Sequence, residues 1–261
     1  METENVGYHL PIPEGLVVSL YLVNKSEPAP GLPIQTFLGR NDALTLEELT
    51  EVDRKICRGI IRRHKIRFYN HGPFKINLCT MLDPTKVIAR RCAEGYLMRA
   101  FDLESRGVVF HVGKHVKLSP ELGLSKMIQS LVYLASKAQP DCPVLLETPA
   151  GQGTELVVGY EAFSQFYRAI KLRTGDRLKV CIDTCHVFAG GDCPLEYIQN
   201  WIAEHGTESI GLVHFNDSKT PLGSRKDRHE PYLSGEGNIG LETMMKVAQL
   251  CQAQAIDMVT E

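Results

Sequence analysis

Short apolar and β-branched runs alternate along this chain with longer segments whose apolar positions recur every three to four residues. The runs predict strands over residues 6–10, 34–38, 66–70, 107–110, 144–146, 178–182, 210–213 and 257–260. The longer segments predict helices over residues 46–63, 85–105, 120–137, 160–172, 195–205 and 241–253. Asp83-Pro84 and Ser119-Pro120 supply caps and first-turn prolines for two of them. Eight strands alternating with helices are the pattern of a (β/α)8 TIM barrel, although a doubly wound open sheet alternates similarly. The 261 residues suit one barrel, so a single catalytic domain over residues 1–261 is expected. The longest stretch without helical pattern, residues 217–238, has the length of a functional loop.

The residues that close the strands narrow the choice. The first strand ends near His9, the third at His71, the fourth at His111 and the fifth at Glu147. The sixth ends at Asp183, the seventh at His214 and the eighth at Glu261; only the second, near Leu38, offers no ligand type. In a barrel all these ends converge on one face, where active sites lie. Buried imidazoles and carboxylates gathered without a cation are costly, so the set points to metal. Nitrogen and oxygen donors without thiolate suit zinc, manganese or iron in a catalytic setting. CIDTCH adds His186 three residues beyond Asp183, and KDRHE places Asp227 and His229 on one side of an extended segment. Beyond His9, five histidines and four acids exceed one tetrahedral site and match two or three ions, the usual device for displacement at phosphorus.

Composition excludes several classes. The eight cysteines form no C-x-x-C pair, which argues against zinc fingers and a disulfide scaffold. The start METENVGYHLPIP lacks a signal peptide's basic and apolar regions, and the apolar stretch over residues 15–23 is too short to span a bilayer. An intracellular protein of cytoplasm or nucleus, free of membranes, is expected. A net charge of −2 lacks the usual footprint of a nucleic-acid binder. Three divalent ions against four ligand carboxylates would make the cup positive.

The stretches HGPFKINL (71–78), LLETPAGQG (145–153), CIDTCH (181–186), HFNDSK (214–219), DRHE (227–230) and GEGNIG (235–240) resemble the endonuclease IV family of AP endonucleases, in that family's order. The resemblance implies a barrel carrying three zinc ions, with manganese able to occupy one or more sites. It implies that His71, His111 and Glu147 hold the first ion. Glu147, Asp183, His214 and Glu261 would hold the second, and His186, Asp227 and His229 the third. It further implies a monomer acting in base excision repair on double-stranded DNA with abasic sites. A metal-activated water, oriented by Glu147, would attack the phosphorus 5′ to the abasic sugar and leave a 3′-hydroxyl and a 5′-deoxyribose phosphate. Phe74 matches a position where the family has a tyrosine wedge, and Arg40, in QTFLGR, matches a gap-filling arginine. Lys75 and Arg228, with Lys219 and Arg225, are expected phosphate contacts.

Two features depart from the family pattern. His111-Val112-Gly113 stands where the family has His-Pro-Gly, and the chain stops at Glu261, so the last barrel helix is expected to be missing. Two other functions compete. Sugar isomerases and epimerases of the same barrel superfamily bind one or two ions at strand ends, which leaves His186, Asp227 and His229 without a role. A catalytically inactive DNA-binding relative is the third possibility.

Overall fold

The computed structural model describes residues 6–261. Its strands are β1 (Val6–His9), β2 (Pro33–Phe37), β3 (Arg67–His71), β4 (Val108–His111), β5 (Val144–Glu147), β6 (Leu178–Asp183), β7 (Ile210–His214), β8 (Asp217–Ser218), β9 (His229–Glu230) and β10 (Met258–Thr260). Its helices are α1 (Leu16–Lys25), α2 (Glu51–Arg63), α3 (Val87–Asp102), α4 (Pro120–Lys137), α5 (Tyr160–Thr174), α6 (Thr184–Gly190), α7 (Pro194–His205) and α8 (Leu241–Ala253). Strands β1, β10, β7, β6, β5, β4, β3 and β2 close a parallel barrel in that order, with Val6 opposite Met258 at the seam. This is the (β/α)8 barrel that the alternation predicts, and no helix follows β10 among the described residues.

Alternation along each strand sorts its side chains into two cores. Tyr69, Val109, Leu145, Cys181, Leu212 and Val259, from β3, β4, β5, β6, β7 and β10, pack together inside the barrel. Their neighbours Phe68, Val108, Leu146, Val180, Val213 and Met258 face outward into the larger core beneath the helices. At the bottom, Asp257 accepts a hydrogen bond from the Tyr69 hydroxyl at 2.7 Å and pairs with Arg67 at 2.8 Å. The inner plug therefore ends in a polar network around Asp257. The top ends in the candidate site.

Every barrel strand lies within one residue of its expected bounds, but three helical features differ. Helix α1 was expected only as a short apolar stretch. Its first N–H, at Leu16, donates to the Glu47 carboxylate 31 residues away at 3.0 Å, so its cap lies outside any local window. Helix α2 starts at Glu51 rather than residue 46, because Thr50 and Asp53 form a reciprocal capping box there. Helix α6 occupies the turn after β6, and the 217–238 segment holds the small β8–β9 hairpin. Among the described residues no helix is long and apolar enough to cross a membrane.

Candidate metal centre

The period of two that builds the inner core also builds the site. Two residues beyond Tyr69, Val109, Leu145, Cys181, Leu212 and Val259 come His71, His111, Glu147, Asp183, His214 and Glu261. Each therefore points inward, one layer above the apolar plug. Strand register aligns them, with His111 beside Glu147 and Asp183 beside His214. The Glu147 carboxylate lies 3.3 Å from His71 Nε2, 3.2 Å from His111 Nε2 and 3.1 Å from His214 Nδ1. Glu261 turns inward as well, 3.3 Å from His214 Nδ1, while its backbone N–H donates to Asn216 at 2.9 Å.

The remaining donors arrive from loops. Asp183 caps α6 by accepting from the His186 N–H at 2.8 Å, which swings that imidazole beside it. His186 Nδ1 donates to the Thr148 carbonyl at 2.8 Å and leaves Nε2 3.3 Å from Asp227. The hairpin carries His229, whose Nε2 lies 3.0 Å from Asp227 and 3.7 Å from Asp183. GEGNIG holds this hairpin in place. Asp217 accepts from the Ile239 N–H at 2.9 Å, and the Asn238 N–H donates to Ser218 at 2.7 Å. A Cβ at Gly237 would stand 2.0 Å from Asp217 Cγ, so only glycine permits that approach.

Buried atoms without partners test whether the cluster suits a metal. His71 Nε2, His111 Nε2, Glu147 Oε2 and His229 Nε2 are buried and make no hydrogen bond. The Nδ1 of His71 donates to the Gly72 carbonyl at 2.7 Å, so its Nε2 turns a bare lone pair toward a carboxylate. A lone pair facing a carboxylate is repulsive unless a proton or a metal cation lies between them. Ligand atoms of His71, Glu147, His214 and Glu261 lie within 4.8 Å of one another, as do those of Asp183, His186 and His229. This donor set fits divalent metal ions.

Charge compensation within the cluster is extensive. Burial alone would raise the Glu147 pKa, but His111 and His214 hold it well below the carboxylate range. Burial alone would lower His186 and His214; Asp183 and Asp227 beside the first, and Glu261 and Glu147 beside the second, hold both well above the usual imidazole value. Burial pushes His111 down from the usual imidazole value, against the pull of Glu147. Cys185 also lies near Asp227 and His229, but burial pushes its thiol up to about 12.

Gln35 was missed in the sequence. It is fully buried on β2, the one strand with no ligand type at its end. Its Oε1 accepts from His214 Nε2 at 2.9 Å and its Nε2 donates to Glu261 at 2.7 Å, 3.0 Å from His9 Nδ1. Its signal was a glutamine inside the otherwise apolar run PIQTF. Asn216 was missed too; it donates to Asp183 at 2.8 Å.

The residues expected to meet DNA lie around this cup. Phe74 is 56% exposed, its ring 5.5 Å from His71, 5.4 Å from His111 and 5.4 Å from Phe37, so it is no core residue. Arg40 is exposed in the loop after β2 and bound to Asp42 at 3.1 Å. Lys75 is exposed beside Phe74, and Arg228 donates to the Asp227 carbonyl at 2.6 Å. Lys219 pairs with Glu230 at 3.5 Å.

Residues 34–252 match the xylose isomerase-like TIM barrel family. The chain is 34% identical to "probable endonuclease 4" of Alkaliphilus oremlandii over 181 residues, 68% of this chain and 63% of that protein. It is 31% identical to "probable endonuclease 4" of Aster yellows witches'-broom phytoplasma over 225 residues, 83% of this chain and 73% of the relative. Endonuclease IV from Thermus thermophilus shares the fold, with a TM-score of 0.79 at 22% identity over 98% of this chain and 91% of that one. The chain belongs to the endonuclease IV family of xylose isomerase-like TIM barrels. It nevertheless spans less than two thirds of the first of these relatives.

Proposed function

We propose that this chain is a zinc-dependent AP endonuclease of base excision repair, acting as a monomer on double-stranded DNA. It hydrolyses the phosphodiester bond 5′ to an abasic site and leaves a 3′-hydroxyl and a 5′-deoxyribose phosphate. The observation that supports this best is the pair of partnerless imidazole nitrogens of His71 and His111 against Glu147, with His186, Asp227 and His229 at the same mouth. A one-ion or two-ion sugar isomerase leaves that second group idle.

His71, His111 and Glu147 would hold one zinc, Glu147, Asp183, His214 and Glu261 a second, and His186, Asp227 and His229 a third. Bound ions of this kind supply positive charge for a phosphate and an acidified water; manganese can serve at one or more of these sites. Glu147, held ionised, accepts a hydrogen bond from that water and orients it toward phosphorus. Asp183, fixed by Asn216 and by its capping bond to His186, sets the distance between the two groups of donors. Phe74 stacks on the base beside the lesion, and Arg40 fills the space left by the displaced sugar. Lys75 and Arg228 neutralise flanking phosphates.

The test is incubation with a duplex carrying a single abasic site, with and without chelator, and identification of the end groups. A 3′-hydroxyl with a 5′-deoxyribose phosphate, lost on chelation and restored by zinc, is the expected result. A β-elimination product, or cutting indifferent to chelator, rules this mechanism out. Intact DNA with fully metal-loaded protein favours an inactive DNA-binding relative.

A further inference from the structure

A groove of 370 Å³ opens between the loops that follow β3 and β4. Lys75, Lys86, Lys117 and His115 line it together with Asn77 and Thr80, and no carboxylate does. None of the three lysines forms an ion pair with a described residue. The nearby acids are already engaged, Asp83 by Lys126, Glu155 by Lys114, and Asp42, which also feels the Lys75 charge, by Arg40. In a chain of net charge −2 this is a local excess of positive charge. Cations so placed are held apart from counter-charges for a partner that brings its own.

The walls are fixed. Asn77 accepts from the Lys114 and Cys79 N–H groups at 3.0 Å each and donates to the Lys114 carbonyl at 2.8 Å, joining the two loops. A Cβ at Gly113 would stand 2.3 Å from Cys79 Sγ, so the loops meet as closely as glycine allows. His115 and Val116 are tied to Thr154 at 3.0 and 2.9 Å. Val116, between His115 and Lys117, holds φ of 53°. A β-branched residue in that left-handed region is strained, and such strain clusters at functional loops.

Both walls begin at metal-site residues, His71 and His111, and Lys75 directly follows Phe74, whose ring touches both. The groove therefore lies beside the cup, on the loops that its ligands begin. We propose that it is a second backbone site, where Lys75, Lys86 and Lys117 bind phosphates of the DNA strand that flanks the cleaved bond. This assignment rests on the nuclease function proposed above. Such contacts set orientation and salt dependence without reading sequence.

The experiment measures binding of zinc-loaded protein to the nicked product duplex across a salt series. The double variant Lys86→Gln/Lys117→Gln is compared with the charge-matched control Lys55→Gln/Lys137→Gln, whose lysines lie on outer helices. Losing two phosphate contacts lowers the slope of log affinity against log salt by about 1.8, and the control leaves it unchanged. Shortening the duplex until one flank no longer reaches the groove erases the difference between wild type and double variant. Equal slopes, with abasic cleavage by the wild type intact, overturn the groove and leave the nuclease standing. Absence of cleavage by the wild type overturns the function beneath it. If inorganic phosphate alone shields these lysines from acylation as well as the duplex does, the groove is a free-anion pocket and the backbone assignment is wrong.

Discussion

The amide oxygen of Gln35 lies 2.9 Å from Nε2 of His214, while Nδ1 of the same ring lies 3.1 Å from Glu147. One imidazole nitrogen is thereby committed to β2 and the other faces the carboxylates. Gln35 positions a ligand without being one.

Gln35→Leu removes the acceptor that fixes this tautomer and the donor to Glu261. Outer partners of this kind are worth about 10–100-fold in metal affinity. Zinc retention in a chelator competition is expected to fall by that factor. Wild-type retention would show that His214 needs no such anchor.

Glu147→Gln leaves His214, which Glu147 helps to hold above the usual imidazole value, without one of its carboxylate partners. Removing one partner of a buried charged group costs about 3–5 kcal/mol. Denaturant unfolding of the metal-free variant is expected to show a loss of that size, together with loss of abasic-site cleavage. A metal-free variant as stable as wild type contradicts the compensation described here.

Gly237→Ala drives a Cβ into Asp217, which ties the hairpin to residues 238 and 239. The hairpin carrying Asp227 and His229 shifts while the strand-end ligands stay. Bound zinc is expected to drop by one equivalent per chain, with a stability cost of about 1–3 kcal/mol from overpacking. Elemental analysis beside a thermal melt separates this from general unfolding.

Metal and protons compete for the same atoms. His186, His214 and His229 are raised above the usual 6.5 in the metal-free protein, each against the opposing effect of burial. Their stabilising contribution is present in full below 6.5 and is lost as pH rises through the folded pKa. Glu147 and Glu261 are depressed below 4.5 despite burial, so theirs is present above 4.5 and lost on acidification. His111, pushed down by burial, opposes the three raised imidazoles below 6.5 but is outnumbered by them, so the metal-free protein is expected to be most stable between about pH 4.5 and 6.5. Zinc should release protons at pH 7 and bind less tightly as pH falls. Denaturation across pH, and calorimetry in buffers of different ionisation enthalpy, check both; a stability profile flat from pH 5 to 8 would contradict the first.

The barrel was legible in the sequence because the periods of strand and helix differ, and because every barrel strand carries its own apolar run. The strand-end ligands were legible for a related reason. Each of His71, His111, Glu147, Asp183, His214 and Glu261 interrupts an apolar run at the point where alternation still turns it inward. His186, Asp227 and His229 could be named from their motifs.

Tertiary structure decided what depends on partners distant in sequence. Gln35 became part of the site only when β2 closed against strands bearing residues 179 and 226 positions away. Helix α1 needed a carboxylate from another loop, and the hairpin needed Asp217 pressed against Gly237. The lysines of the groove read singly as solvated surface. They form one cationic channel only because Asn77 joins two loops across 37 residues. Periodicity reports the direction in which a side chain points, whereas the group it meets there depends on closure of the sheet.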